Sequence, residues 1–188
     1  HAIARLQQTE TDDLAANPPD ANGNPLPGTF MEWAVGKEGE KMRPGSGKLM
    51  LPGSKIVWDI HYSNGGEDIT DAVELGVYFY PKGQEPKHRQ VLHLMGATNA
   101  GGVDLPPNTV KATEGYFVLR ENGRVESFQP HMHLRGKAMS MEAILPNGGT
   151  QVLSHVSEFN FNWHNTYVYA PNAAPLLPKG TILKITGW

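Results

Sequence analysis

Short runs in which apolar and polar residues alternate, bounded by Gly, Pro or Asn, dominate this chain. A two-residue period marks a strand with one face in a core. It predicts strands over 55–62 (KIVWDIHY), 74–80 (ELGVYFY), 89–95 (RQVLHLM), 115–122 (GYFVLREN) and 124–134 (RVESFQPHMHL). Further strands are predicted over 138–145 (AMSMEAIL), 150–156 (TQVLSHV), 166–170 (TYVYA) and 181–188 (TILKITGW). No segment keeps a 3.6-residue period over three turns. Hairpin turns are expected at Asn64-Gly65-Gly66, Glu121-Asn122-Gly123 and Pro146-Asn147-Gly148. A Pro/Asn/Gly-rich loop covers 17–28, and NAGGVDLPPNT (99–109) separates two strand-rich halves as a linker. The pattern predicts an all-β fold of two small β-sandwich domains, 1–104 and 105–188. The closing strand-like run stops at Trp188 with no turn after it, so the chain is expected to be a piece of a longer protein. The first domain would then lack its start and the second its end.

Composition narrows the picture. The chain has 21 Gly and 15 Pro among 188 residues, as expected of strands joined by many turns. A formal charge of −3 without a basic block argues against nucleic acid or an anionic membrane surface as partner. The apolar runs are too short to span a bilayer. The absence of cysteine excludes a disulfide framework, a thiolate metal site and a cysteine nucleophile. There is no Gly-x-Ser-x-Gly, no phosphate-binding glycine loop and no zinc-protease helix motif.

Histidine carries the remaining chemistry. In QPHMHLRGK (129–137), strand parity puts Phe128, Met132 and Leu134 on one face and Gln129, His131, His133 and Arg135 on the other. Two imidazoles on one polar face, roughly 6.5–7 Å apart at Cα, can tilt onto one metal. Solvated or hydrogen-bonded histidines are the competing reading. In KIVWDIHY the apolar set Ile56, Trp58, Ile60 and Tyr62 leaves His61 on the opposite face with Lys55, Val57 and Asp59. His88, His93, His155 and His164 have no partner at ligand spacing and read as surface or hydrogen-bonded residues; His164, set among aromatics and asparagines, is the most tempting of them. Met139 and Met141 share a face and read as core in preference to soft copper ligands. Arg135 and Lys137 read as turn-flanking charges, with orientation of an anionic substrate group as the alternative. A cupin site would want an acid soon after His-x-His, but the first is Glu142. An amidohydrolase barrel needs some 250 residues.

These motifs resemble the copper type II, ascorbate-dependent monooxygenases, nearer to the family's bacterial members than to the animal peptidylglycine α-hydroxylating and dopamine β-monooxygenases. KIVWDIHY, VDLPPNT (103–109), QPHMHLRGK and LPKGTILKITGW (177–188) occur in the family's order at similar spacings, and FNFNWHNTY (159–167) follows QPHMHLRGK as in the bacterial relatives. The resemblance implies two jelly-roll-like β-sandwich domains, each binding one copper, on either side of an open cleft. It implies that His131 and His133 ligate the second domain's copper, where oxygen and substrate react, and that a methionine beyond residue 188 completes that set. In the first domain it implies three histidine ligands. His61 is the last of them, and His1 is the second member of an upstream pair whose first member precedes the chain.

The implied activity is hydroxylation of a C–H bond with O2 and an external reductant such as ascorbate. The implied location is outside the cytoplasm, periplasmic or extracellular, in a bacterium, with no membrane insertion. The substrate-anchoring residues of the animal enzymes have no match here, so the substrate class does not carry over. The alternative from a different class is a non-catalytic copper-binding or β-sandwich interaction domain of a larger extracellular assembly.

Overall fold

The structure, a computed structural model, describes residues 1–8, 28–63, 65–96 and 103–188. Most of the predicted loop at 17–28, Asn64 of the first expected turn, and residues 99–102 of the expected linker lie outside the described residues. Among the described residues there is no helix, and the fold is all-β. The chain divides into two compact units. The first is His1–Ala34 with Glu38–Leu94; the second is Val35–Lys37 with Met95–Trp188. The division falls at Leu94/Met95, earlier than the 104/105 boundary read from the sequence. The reason is packing: Met95 lies against the core of the second unit.

In the first unit, β1 (Ala2–Gln7) is the centre of a three-stranded antiparallel sheet, flanked by β2 (Gly28–Trp33) and β4 (Lys55–Ile60). A two-residue parallel contact joins β3 (Ser46–Gly47) to β5 (His88–Arg89). The register sets Ala4 opposite Trp58 and Leu6 opposite Ile56, so these residues share a face, and Ala4 and Leu6 are buried. The other face of β1 and β4 carries Arg5, Val57 and Asp59, with Arg5 Nη2 3.0 Å from Asp59 Oδ2.

Two predicted strands of this unit do not form. Glu74–Tyr80 has strand composition but no ladder partner among the described residues, and Tyr78 and Phe79 stand exposed. The predicted strand over 89–95 shrinks to the β5 contact. A β-rich run specifies a surface to be packed; the partner must come from elsewhere in the chain.

In the second unit, β6 (Thr113–Val118), β9 (Met139–Ile144), β10 (Thr150–Val156) and β13 (Ile182–Gly187) form an antiparallel sheet in the order β10-β9-β13-β6. The β9–β10 hairpin turns where Asn147-Gly148 predicts it. Gly148 takes φ +84°, and Leu145 N–H donates to the Gly149 carbonyl at 2.8 Å. Only a residue without Cβ takes that φ at no cost. The Glu121-Asn122-Gly123 turn joins strands that pair elsewhere: β6 pairs with β13, while β7 (Gly123–Arg124) pairs with β12 (Leu176–Leu177).

Alternation gives the sheet two unlike faces. Met139, Met141, Ala143, Leu183 and Ile185 are buried, whereas Glu114, Tyr116, Glu142 and Lys184 occupy the opposite face. Two ribbons cover the apolar side. One is β8 (Ser127–Phe128) with β11 (Tyr167–Val168), whose Phe128 clusters with Met139, Met141 and Ile185. The other is β7–β12, whose Leu177 clusters with Ala143 and Leu183. Each fully buried side chain of this size contributes roughly 1.5–3 kcal/mol over its exposed state. Met139 and Met141 are core residues, as read.

The single strand expected over 124–134 is broken into β7 and β8, followed by irregular backbone and a turn at Leu134-Arg135. Pro130 lies in that stretch and cannot donate to a ladder. Phe128 and Met132 do face the core, but Leu134, expected beside them, is 82% exposed because the turn carries it away.

Candidate functional site

The backbone beyond β8 and β11 loses its ladder hydrogen bonds but keeps the ribbon's register. Tyr167 pairs with Phe128 and Val168 with Ser127. Before the ladder, Tyr169 N–H donates to the Glu126 carbonyl at 3.0 Å, in the same register. Continued the other way, that register sets Gln129 opposite Thr166 and His131 opposite His164. Thr166 Oγ1 donates to Gln129 Oε1 at 3.0 Å, and the Nδ1 atoms of His131 and His164 are 3.0 Å apart.

His164 is 5% exposed. Its backbone N–H donates to the Val35 carbonyl at 2.8 Å, and the rings of Phe159 and Phe161 flank its imidazole at 5.6 Å. His131 is half-buried. His133, two residues on, is exposed, its ring centroid 5.5 Å from that of His131 and 6.1 Å from that of Phe161. The three imidazoles therefore form one cluster with His131 in the middle. The sequence-predicted pair His131 and His133 is brought together, and His164, which linear spacing left unpartnered, joins it. The signal that could have found His164 is a cross-strand one: pairing TYVYA against ESFQP aligns the two histidines.

The amide of Gln129, one cross-strand pair from this cluster, has a buried Nε2 with no hydrogen-bond partner among the described residues. An unsatisfied buried donor costs about 1–3 kcal/mol. Pro130, Trp163, Asn165 and Tyr167, of the opposite parity, line a cleft of about 140 Å³ together with Phe159, whose ring also contacts that of His164. Arg135 and Lys137 are exposed, and Lys137 N–H donates to the Trp188 carbonyl at 2.8 Å.

The first unit repeats the device. Continuing the β1–β4 register by one residue sets His1 opposite His61. His61 N–H donates to the His1 carbonyl at 2.9 Å, the His1 nitrogen lies 3.2 Å from the His61 carbonyl, and the ring centroids are 4.0 Å apart. His61 stands outside the core, its side chain 60% exposed. Its Nε2 is 3.2 Å from Asp59 Oδ1. The Arg5 guanidinium, hydrogen-bonded to Asp59, holds that carboxyl below its ordinary range, and His61 adds to the effect. A charged carboxylate against one ring nitrogen is how proteins orient an imidazole whose other nitrogen binds a metal.

Chemically, both clusters offer neutral nitrogen donors without thiolate, a set suited to Cu, Zn, Fe or Ni. Among the described residues, no three His, Asp or Glu side chains are already drawn into a group that could hold a metal. What exists is a pair of contacting imidazoles in the first unit and a row of three, His133, His131 and His164, in the second. Compared with known proteins, the chain matches no family model, no curated protein and no solved structure.

Proposed function

We propose that the chain belongs to a copper-dependent monooxygenase of the type II, ascorbate-using kind, with one copper in each unit. His131 and His133 would hold the metal at which O2 and substrate meet, and His61 with His1 would hold the other. The observation that carries this reading is the pairing of imidazoles in both units at the positions the motifs single out. Copper, when bound, would supply redox chemistry in which one O2, with two electrons from the reductant and two protons, converts a C–H bond to C–OH and releases one water.

The protein's own residues set up that site. The Phe128-anchored ribbon fixes His131, the turn at Leu134-Arg135 leaves His133 open to solvent and substrate, and Asp59 orients His61. Two jelly-roll-like sandwiches and an exported bacterial location belong to the same proposal. The second reading, a non-catalytic copper-binding domain of a larger extracellular assembly, rests on the same histidine pairs and differs from the first in lacking turnover.

The test is copper loading followed by O2 uptake with ascorbate. Two coppers per chain and reductant-dependent O2 consumption are expected, both reduced when His131 and His133 are changed to alanine. Copper bound without O2 consumption selects the second reading. Unchanged copper stoichiometry and an unchanged Cu(II) spin-resonance signal in the double variant would remove both.

A further inference from the structure

We propose that His164 is itself a metal ligand, binding through Nδ1 beside His131, so that His131, His133 and His164 all bind the metal of the second unit. The inference rests on the metal reading of this cluster but adds a residue that the motifs do not supply.

The argument is geometric. A first-row metal takes imidazole nitrogen at about 2.0–2.1 Å, so two nitrogens on one ion at angles between square and tetrahedral lie about 2.8–3.4 Å apart. The His131 and His164 Nδ1 atoms are 3.0 Å apart. That separation lies inside the range, and the ring centroids are 4.5 Å apart with their planes at 58°. A hydrogen bond aims along the N···N line whereas a shared ion sits beside it, so each ring turns toward the ion as it replaces the proton. Both rings can bind while neutral: the one that donates through Nδ1 binds as its Nε2–H tautomer, and no net proton is lost.

The surroundings suit a ligand. His164 is held by its backbone bond to Val35 and by the edge-on rings of Phe159 and Phe161, so its ring is oriented before any ion arrives. The cross-strand register fixes it against His131. His133 lies on the exposed side of His131 and supplies the third nitrogen by a side-chain rotation. A buried imidazole, a half-buried one and an exposed one make a site closed on one side and open on the other, which a reactive metal centre requires.

The experiment uses the whole chain carrying His1→Ala and His61→Ala, so that copper in the first unit does not contribute. With one equivalent of Cu(II), electron spin-echo modulation counts the bound imidazoles through their combination lines. Three are expected. His164→Phe keeps an aromatic ring between Phe159 and Phe161 while removing the nitrogens; it should lower the count to two and weaken Cu(II) binding by roughly a hundredfold, the upper range for groups that support a metal site. A count of two before any change at residue 164, or an unchanged count and Kd in a His164→Phe protein with unaltered circular dichroism, overturns the proposal. If His131→Ala and His133→Ala lower the count while His164→Phe does not, this inference fails alone. If none of the three changes alters the signal, the copper reading of the cluster fails with it.

Discussion

Replacing Phe128 by alanine tests whether the core of the second unit holds the histidine cluster in place. The ring is 8% exposed and packs with Met139, Met141 and Ile185, with Met132 and Val125 at its margin. Truncation removes the transfer free energy of the ring and leaves a cavity under β8 that the four-stranded sheet, locked by its ladders, cannot collapse to fill. The expected cost is about 3–5 kcal/mol, and the smaller truncation Phe128→Leu should cost less. With a urea dependence of about 2 kcal/mol per molar, the alanine change lowers the midpoint by roughly 1.5–2.5 M. Because Phe128 anchors the strand that faces Tyr167, the ribbon should loosen locally as well. Hydrogen exchange at the Tyr169 amide, bonded to the Glu126 carbonyl, and at the His164 amide, bonded to Val35, reports this. Both amides should exchange faster than those of the β9–β13 ladder. A loss of less than about 1 kcal/mol would refute the core assignment, by the scale of buried aromatic truncations. Full stability loss with the two amides unaltered relative to the ladder would refute the coupling of core to site.

Two further changes probe the same unit. Gly36 has φ +91°, and a Cβ there would lie 2.9 Å from Asn165 Oδ1 and 3.1 Å from Trp163 Cε3, so Gly36→Ala should cost about 1–3 kcal/mol and displace the segment bearing His164. An unchanged melting temperature would contradict it. On the polar face, hydrogen bonds from Tyr116 and then Lys184 hold the Glu114 carboxyl below its ordinary 4.5, while Glu142 and then Glu114 hold the Lys184 ammonium above its ordinary 10.5. The contribution of Glu114 is present above pH 4.5 and lost as pH falls through its depressed value; that of Lys184 is present below pH 10.5 and lost as pH rises through its raised value. Lys184→Met should therefore melt slightly below the parent at neutral pH and converge with it at both extremes, whereas a pH-independent offset would count against the pairing.

Residues whose fate is decided locally were legible along the chain. Thr150–Val156 is a strand with the bounds its alternation predicts, Asn147-Gly148 turns the hairpin before it, and Met139 and Met141 lie in the core. Residues whose fate depends on a distant partner were not. The run at 74–80 has strand composition without a partner among the described residues, whereas Ala2–Gln7, whose small and charged residues give a weak period, becomes the central strand because β2 and β4 flank it. Pro130 was visible in the sequence as a residue unable to donate to a ladder, and it is where the long strand expected over 124–134 gives way to irregular backbone.

The histidines show the same division more sharply. Spacing along one strand can join only His131 to His133, since side chains two apart share a face. The closest imidazole contacts in both units run across strands: His1 against His61, separated by 60 residues, and His131 against His164, separated by 33. Each pair stands just past the end of a ladder, where the register still dictates who faces whom: the His61 N–H stays bonded to the His1 carbonyl, while the His164 N–H turns to the Val35 carbonyl. The ladder supplies alignment, and its end supplies room for the rings to tilt together. A site built this way depends on a register, so sliding β11 by one residue against β8 would carry His164 to the opposite face and bring Trp163 or Asn165 against His131. Phe128 in the core and Tyr169 bonded at the other end of the ribbon are what prevent that slip.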